Sequence, residues 1–216
     1  IYIRLVGSEM CIRDRPRIGI VSAVGEDFST YHQMVLEDAG MNLAGVALRE
    51  GETSTRSVRF TESMGGSEIT NIDMNVLGDF IPILPKAWAA PDVLLCANSK
   101  PSMQIEVLKQ CPDAKINALD TSKIWIEKEF EDLSRAMRMV DVVVLEEEDA
   151  NSISGETVLT QSISSIISGE ALHGGSGAGR GPRSIIVKRG SSGILAYLPC
   201  GTIALPSYPT ENLIDP

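Results

Sequence analysis

Short apolar runs alternate with longer amphipathic segments along the chain from Arg17 onward. Apolar runs of about four to eight residues are typical of buried strands, and a period of about 3.6 residues is typical of helices. The apolar runs predict strands at residues 18–23, 92–97, 114–119, 142–145 and 184–187. The amphipathic segments predict helices at residues 29–39, 103–110, 125–139 and 157–168. Strands that alternate with helices predict a parallel sheet, because a helical crossover normally connects parallel neighbours.

The two remaining β-rich regions change this simple pattern. Residues 194–198 and 202–205 are short β runs separated by glycine-containing turns, which predicts an antiparallel edge on the sheet. Residues 43–48 and 57–61 are also β-like, and the polar, glycine-rich stretch 62–71 predicts an exposed hairpin or flap. We therefore predict an α/β fold with a doubly wound, mostly parallel sheet, an antiparallel edge and a small β lid at about residues 43–75.

Composition excludes several classes of partner. The net charge of −10 and pI near 4.7 argue against a nucleic-acid binder, because such proteins usually concentrate Lys and Arg on one face. The longest apolar runs are far below the roughly 20 residues that a membrane-spanning helix requires. The cysteines form no CxxC pair and have no His at ligand spacing, which argues against zinc and favours buried free thiols in a reducing cytoplasm; they are Cys11, Cys96, Cys111 and Cys200.

The first residues of the chain resemble a translated sequencing adaptor rather than native protein sequence. Residues 5–14 match the translation of a transposase-library sequencing adaptor over ten consecutive positions, and Arg15 fits the same frame. We expect residues 1–15 to be non-native and exclude them from fold prediction. Residues 16–216 are then expected to be one domain that is truncated at both ends.

The glycine-rich segment 174–182 contains glycines at the spacing of a dinucleotide-binding loop. That chemistry requires a strand before the loop and a helix N-terminus after it, so that backbone N–H groups point at a phosphate. Here a predicted helix precedes the segment and a predicted strand follows it. The pattern therefore favours a flexible insertion over a phosphate-binding loop.

Three polar segments follow predicted parallel strands, at the edge where open α/β sheets bind ligands. Asp120 begins the first segment, and taken alone it is better explained as the N-cap of the following helix. The acidic run 146–149 suits either Mg²⁺ or a solvated helix start, where carboxylates favour the positive end of the helix dipole. Lys188-Arg-Gly190-Ser-Ser-Gly193 suits either a backbone approach to a ligand or an ordinary hairpin turn.

In chain order, these segments and others resemble the sequence pattern of one enzyme family. The matching stretches are Gly25-Glu-Asp27 with residues 36–46, residues 92–98 with 100–104, residues 120–126, residues 141–145, residues 186–193, and residues 206–209 with 213–216. Residues 186–193 resemble the "vvKrGxxG" segment of the PfkB, or ribokinase-type, carbohydrate kinases. Residues 120–125 resemble the Asp-Thr-Met-Asn-Leu-Trp of one subgroup. The resemblance covers almost all of residues 17–216.

This resemblance implies transfer of a phosphoryl group from ATP, with Mg²⁺, to a hydroxyl of a sugar or nucleoside. It places Lys188, Gly190 and Gly193 on the nucleotide side. It places Glu146 and Asp149 at the family's Asn and Glu positions near Mg²⁺ and phosphate, with Asp149 contacting the metal through water. Asn98 and Asp120 would lie near the acceptor or the transferred phosphate, although the subgroup's Met and Asn are Ser122 and Lys123 here.

The resemblance also implies that this polypeptide is inactive by itself. The family's catalytic base belongs to a Gly-Ala-Gly-Asp loop, which would follow Pro216, so we assign no catalytic residue within the chain. Because Glu146 carries a charge where the family has an amide, the alternative is a non-catalytic nucleotide- or sugar-binding relative. An unrelated α/β binding protein would require the ordered motifs to be coincidence. We expect a cytoplasmic protein with no nucleic-acid or membrane partner, and a homodimer stays open.

Overall fold

The structure is a computed structural model that describes residues 17–60 and 67–208, without the side chains of residues 58–60 and 67–70. The structure does not describe residues 1–15, which we expect to be non-native, the tip of the expected flap or the end of the chain. The chain divides into two units, and among the described residues the first comprises 17–59 and 68–88. The second comprises 89–208 together with Phe60 and Ser67.

The first unit contains a β–α–β segment. Strand β1 (Ile18–Val24) and strand β2 (Met41–Leu48) pair in parallel and are connected by helix α1 (Thr30–Asp38). Ser29 caps the helix by accepting a hydrogen bond from the backbone N–H of His32, and Gly40 follows its end with φ +85°. The predicted strand and helix in residues 18–39 are confirmed, but β1 and β2 form a separate two-stranded sheet rather than part of the main sheet.

A second pair of strands follows in the region of the expected lid. Strand β3 (Thr55–Phe60) and strand β4 (Ser67–Asp73) form another two-stranded sheet, so the β structure predicted for residues 57–61 is confirmed over its described part, residues 57–60. Two short 3₁₀ helices, Asn75–Leu77 and Lys86–Trp88, complete the unit. The lid role of residues 43–75 stays a prediction.

The turn after β1 is held by close backbone packing. A Cβ atom on Gly25 would overlap the carbonyl oxygen of Gly51, so only glycine fits there. The Gly25 N–H donates to Thr53 Oγ1 at 2.9 Å, and Thr53 in turn donates from its N–H and its hydroxyl to Asp27 Oδ1, each at 2.7 Å. These bonds lower the pKa of Asp27. The Gly25-Glu-Asp27 motif is therefore a structural junction between two loops.

The second unit is built on a six-stranded sheet. Four strands are parallel neighbours, and two antiparallel strands extend one side, giving the order β10-β9-β8-β7-β6-β5. The strands are β5 (Val93–Cys96), β6 (Ile116–Asp120), β7 (Val142–Glu146), β8 (Ser184–Lys188), β9 (Ile194–Leu198) and β10 (Gly201–Leu205). The predicted α/β class, the mostly parallel sheet and the antiparallel edge are confirmed.

Five helices accompany this sheet. They are α2 (Pro101–Gln110), α3 (Lys123–Lys128), α4 (Phe130–Arg138), α5 (Glu147–Ser154) and α6 (Leu159–Ser168). The single helix predicted at residues 125–139 is wrong, because Glu129 has φ −138° and ψ 42°, outside the helical region. Glu129 follows the last residue of α3, and its carboxylate lies 3.7 Å from Lys100 Nζ. The acidic run starts α5, as the alternative interpretation predicted.

The core of the second unit lies around β7, its flanking strands and the helices that cover them. The apolar side chains that are almost completely inaccessible to solvent are Leu119, Leu133, Met137, Val143, Leu145, Ile163, Ile166, Ile185 and Val187. Full burial of such a side chain stabilises the fold by about 1.5–3 kcal/mol.

Cys96 and Cys111 are buried thiols that form no disulfide, as predicted, but Cys200 is exposed. No helix among the described residues is long and apolar enough to cross a bilayer.

The glycine-rich segment 174–182 is not a flexible insertion. The guanidinium of Arg138 donates hydrogen bonds to the carbonyl oxygens of Gly169, Gly175 and Gly179. A Cβ atom on Gly181 would overlap the carbonyl oxygen of Ile166, so the segment packs directly on α6. It leads into β8 rather than into a helix, which also removes the geometry of a phosphate-binding loop.

Candidate active site

The carboxyl ends of three adjacent parallel strands each present a charged residue. Asp120 ends β6, Glu146 ends β7 and Lys188 ends β8. In the register, Glu146 is opposite Lys188, and Asp120 is opposite Val144, two residues before Glu146. Residues two apart in a strand share a face, so all three side chains leave the same face of the sheet. This edge is where ligands bind in open α/β sheets.

Lys188 connects the two acidic residues. Its Nζ lies 3.1 Å from Glu146 Oε1 and 3.6 Å from Asp120 Oδ1. Burial disfavours the charged form of Lys188, but the attraction of Asp120 and of Glu146 outweighs it and raises the pKa of the lysine. The side chain is therefore an ammonium at neutral pH, held between two strand ends.

Asp120 is a partly buried carboxyl. Burial raises its pKa, the positive charge of Lys188 opposes that increase, and Glu146 adds to it. Its Oδ1 has no hydrogen-bond partner among the described residues, because 3.6 Å to Lys188 Nζ is an ion-pair distance rather than a hydrogen bond. A buried carboxylate oxygen without a hydrogen bond is able to accept one from a ligand or a water molecule.

Asp149 lies in the first turn of α5 and is only 6% exposed. Burial, reinforced by the negative charge of Glu146, raises its pKa to about 6, while a hydrogen bond from the Glu146 backbone opposes the increase. A buried carboxylate that is not paired with a cation costs free energy whenever it is charged. A cation near this position would remove part of that cost.

Asn98, in the loop after β5, is oriented by two donors. Trp125 Nε1 donates to its Oδ1 at 2.8 Å, and Ser122 Oγ donates to the same atom at 3.1 Å. The indole N–H can only donate, so the atom it contacts must be the amide oxygen. Trp125 is 5% exposed, and its burial fixes the orientation of Asn98.

Sequence interpretation missed the role of Gln104. This α2 residue is buried, and its Nε2 donates to the carbonyl oxygens of Ala97 at 2.9 Å, Asp120 at 3.1 Å and Cys96 at 3.4 Å. It therefore ties the carboxyl ends of β5 and β6 together beside Asp120. The signal in the sequence is a polar residue on the apolar face formed by Pro101, Ile105 and Leu108.

The two glycines of the turn after β8 have different environments. A Cβ atom on Gly193 would overlap the carbonyl oxygen of Leu205, and its φ is +86°, so its role is to let the turn pack on the end of β10. Gly190 has φ +52° but nothing within 4 Å of its Cβ position. The turn is joined to α5 by the ion pair of Arg189 Nε with Glu147 Oε2 at 2.8 Å. The turn is therefore open beside Gly190 and closely packed at Gly193.

A concavity of about 540 Å³ lies elsewhere, in the first unit, and is lined by Gln33, Glu37 and residues 40–44. It is shallow and brings together no charged or nucleophilic constellation comparable to the strand-end residues. We therefore place the candidate site at the strand ends, where the charged side chains meet.

The strand-end residues fit a magnesium–polyphosphate complex. Mg²⁺ usually keeps several waters and takes only one or two carboxylates plus phosphate oxygens. Within residues 17–60 and 67–208, no three His, Cys, Asp or Glu side chains are arranged to hold a metal ion without help. Asp149 and Glu146 offer carboxylates, and Lys188 offers a charge complementary to phosphate.

Solved structures share this arrangement of strands and helices. A putative ribokinase II from E. coli, in complex with ATP and Mg²⁺, is 16% identical, with a TM-score of 0.70 over 96% of this chain and 69% of that one. An Arabidopsis thaliana ribokinase complexed with ribose and ATP is 16% identical, with a TM-score of 0.68 over 95% and 66%. An adenosine kinase from Sinorhizobium meliloti is 12% identical, with a TM-score of 0.71 over 92% and 61%.

These similarities establish the fold. The sequence analysis implied a ribokinase-type fold, and this is confirmed. No protein-family model matches the sequence, and no curated protein matches it. The chain spans between 61% and 69% of the length of the three structures.

Proposed function

We propose that this chain is part of a kinase that uses ATP and Mg²⁺ to phosphorylate a hydroxyl group of a sugar or a nucleoside. The observation that carries the proposal is the position of Lys188 between Asp120 and Glu146, with Asp149 nearby, at the carboxyl ends of the parallel strands. The fold adds support, because similar structures contain ATP with Mg²⁺ or ribose with ATP.

The proposed roles of the residues follow from their chemistry. Lys188 would hold a phosphate oxygen, and the open side of Gly190 would admit the nucleotide to the turn after β8. Asp149, and Glu146 beside it, would hold water ligands of Mg²⁺, which supplies charge neutralisation for the phosphates. Asn98 and Asp120 would contact the acceptor or the transferred phosphate. Positioning and electrostatic stabilisation account for most of the rate enhancement in enzymatic phosphoryl transfer. These are the roles that we assign to this chain.

A second function is favoured by Glu146. A carboxylate 3.1 Å from the lysine that would bind phosphate competes with that phosphate. This arrangement suits a relative that binds a nucleotide or a sugar without transferring phosphate. The two functions differ in turnover, because only the kinase releases ADP when an acceptor is added.

The experiment measures ADP release by the full-length protein of which this chain is part, with Mg²⁺, ATP and a panel of sugars and nucleosides. We expect release with at least one acceptor and its loss in Lys188→Met. Lys115→Met is the matched control, because Lys115 forms an exposed ion pair with Asp92 before β6, at the opposite end of that strand. ATP binding without ADP release from any acceptor would favour the binding protein. If ATP does not bind, both functions are wrong.

The strength of the effect can be anticipated. A hydrogen bond between charged groups contributes about 1.5–3 kcal/mol, so removing the ammonium should weaken ATP binding by about tenfold to a hundredfold. A cytoplasmic location is part of this proposal, since ATP is the phosphate donor and the buried thiols Cys96 and Cys111 are not disulfide-bonded.

A further inference from the structure

Two carboxylates share one ammonium at the candidate site, and they are not equivalent. Glu146 Oε1 is the closer partner of Lys188 Nζ, at 3.1 Å, and the Glu146 side chain is 51% exposed. Asp120 Oδ1 is 3.6 Å away, and its side chain is 30% exposed. Glu146 is therefore the closer partner of Lys188 and the one that an incoming ligand reaches first.

The local charge is negative even with Lys188 present. Asp120, Glu146 and Asp149 supply three carboxylates against one ammonium, a formal charge of −2. A free polyphosphate approaching this edge meets repulsion and must also displace Glu146 from Lys188. A polyphosphate that carries Mg²⁺ brings a smaller negative charge, and its metal attracts the same carboxylates.

We propose that Glu146 makes this site selective for polyphosphates bound to Mg²⁺ over free polyphosphate anions, because it occupies Lys188 and adds negative charge where the phosphates bind. The inference rests on the proposed function, since it concerns the nucleotide phosphates at the same site. It assigns to Glu146 the discrimination between the Mg²⁺-bound and the free form of one ligand. Neither the fold nor the kinase proposal requires this role.

The nearby Glu148 provides a matched control. It lies two residues after Glu146 and is also exposed, but the carboxylates that pair with Lys188 among the described residues are those of Glu146 and Asp120. Glu147 is unsuitable, because its carboxylate pairs with Arg189 at 2.8 Å and its loss would release a second cation beside the site. Glu148→Gln and Glu146→Gln remove the same charge near the start of α5. A general change in net charge would affect both variants equally, whereas the proposal requires an effect at Glu146 alone.

The expected effect is moderate because Glu146 is half exposed. Measured energies of exposed ion pairs reach about 1 kcal/mol, so the Glu146→Gln variant should bind free polyphosphate roughly threefold to fivefold more tightly. The gain should decrease as ionic strength rises, because salt screens interactions between exposed charges. Binding of the Mg²⁺ complex should change less, or weaken, because a carboxylate that faces the metal is lost.

The experiment is a calorimetric titration of the protein with sodium tripolyphosphate, in EDTA and in excess Mg²⁺. It compares the wild type, Glu146→Gln, Glu148→Gln, Lys188→Met, and Glu146→Gln combined with Lys188→Met. We expect the ratio of the two dissociation constants, free over Mg²⁺-bound, to fall roughly threefold or more in Glu146→Gln and to stay unchanged in Glu148→Gln. In the Lys188→Met background the released ammonium is missing, so most of the gain should disappear.

Three results would overturn the inference, and they are distinguishable from one another. An unchanged ratio in Glu146→Gln, with tripolyphosphate still bound, would refute the selectivity role and leave the kinase proposal standing. Equal changes in Glu146→Gln and Glu148→Gln would also refute it, since they would show a general charge effect. If no variant binds tripolyphosphate in either buffer, the proposed function fails and this inference fails with it.

Discussion

Replacement of Asp149 by Asn should stabilise the protein at neutral pH. Asp149 is 6% exposed, and burial with the nearby charge of Glu146 raises its pKa from 3.8 to about 6. The folded protein therefore binds this proton more tightly than the unfolded chain, in which the pKa is about 3.9. A carboxyl with a raised pKa stabilises the fold least when it is ionised, so its contribution falls as pH rises from about 4 to about 6.

The size of the effect follows from the pKa difference. A difference of about two pKa units corresponds to about 3 kcal/mol of unfolding free energy at pH 7 or above, and none below both pKa values. Asn keeps the shape and an acceptor oxygen for the Glu146 backbone hydrogen bond, but that bond becomes weaker. We therefore expect Asp149→Asn to gain about 1–3 kcal/mol at pH 7.5, or several degrees in Tm.

The assay is urea denaturation of the wild type and Asp149→Asn in EDTA, at several pH values between 4 and 8. We expect the advantage of the variant to be largest at pH 7.5 and to vanish near pH 4. Glu148→Gln is the control, because Glu148 is an exposed carboxylate in the same helical turn. An Asp149→Asn variant that is less stable than the wild type at pH 7.5, or an advantage that does not change with pH, would refute the reasoning.

Four further substitutions test the architecture of the site. Gly193→Ala should destabilise the fold by about 2 kcal/mol or more, because its Cβ would overlap a backbone oxygen at positive φ, whereas Gly190→Ala should cost about 1 kcal/mol or less; comparison of their urea midpoints checks this. Trp125→Phe keeps most of the packing but removes the donor to Asn98, and should cost about 1–2 kcal/mol by thermal denaturation. Gln104→Met should cost about 1–3 kcal/mol and increase amide hydrogen exchange at the ends of β5 and β6; unchanged exchange there would contradict its tying role.

The sheet could be predicted because its signals are local. Each parallel strand of the second unit is a short apolar run, and in β6, β7 and β8 the charged residue that ends the strand comes directly after that run. Knowing that carboxyl ends of parallel strands meet at one edge is enough to bring Asp120, Glu146 and Lys188 to the same side of the sheet. Their pairing could not be predicted, because Lys188 reaches Asp120 across the intervening strand β7, and the order of strands is not a local property.

The sequence predictions failed where contacts between residues distant in the sequence override the local pattern of apolar residues and glycines. The apolar residues between Trp125 and Met137 follow one helical period, yet the helix breaks at Glu129, whose neighbour in space is Lys100. Glycine content predicted flexibility for residues 174–182, but the carbonyl groups of that loop are held by Arg138. Neither partner is adjacent in the sequence, so composition and periodicity could not reveal these contacts.

The central claim is that the strand ends around Lys188 bind the phosphates of a nucleotide. Isothermal titration calorimetry with ATP and Mg²⁺ tests it most directly, comparing the wild type with Lys188→Met and with the control Lys115→Met. The account predicts binding to the wild type and the control, and a loss of about tenfold or more in affinity for Lys188→Met. Equal affinity of the three proteins for ATP would contradict it.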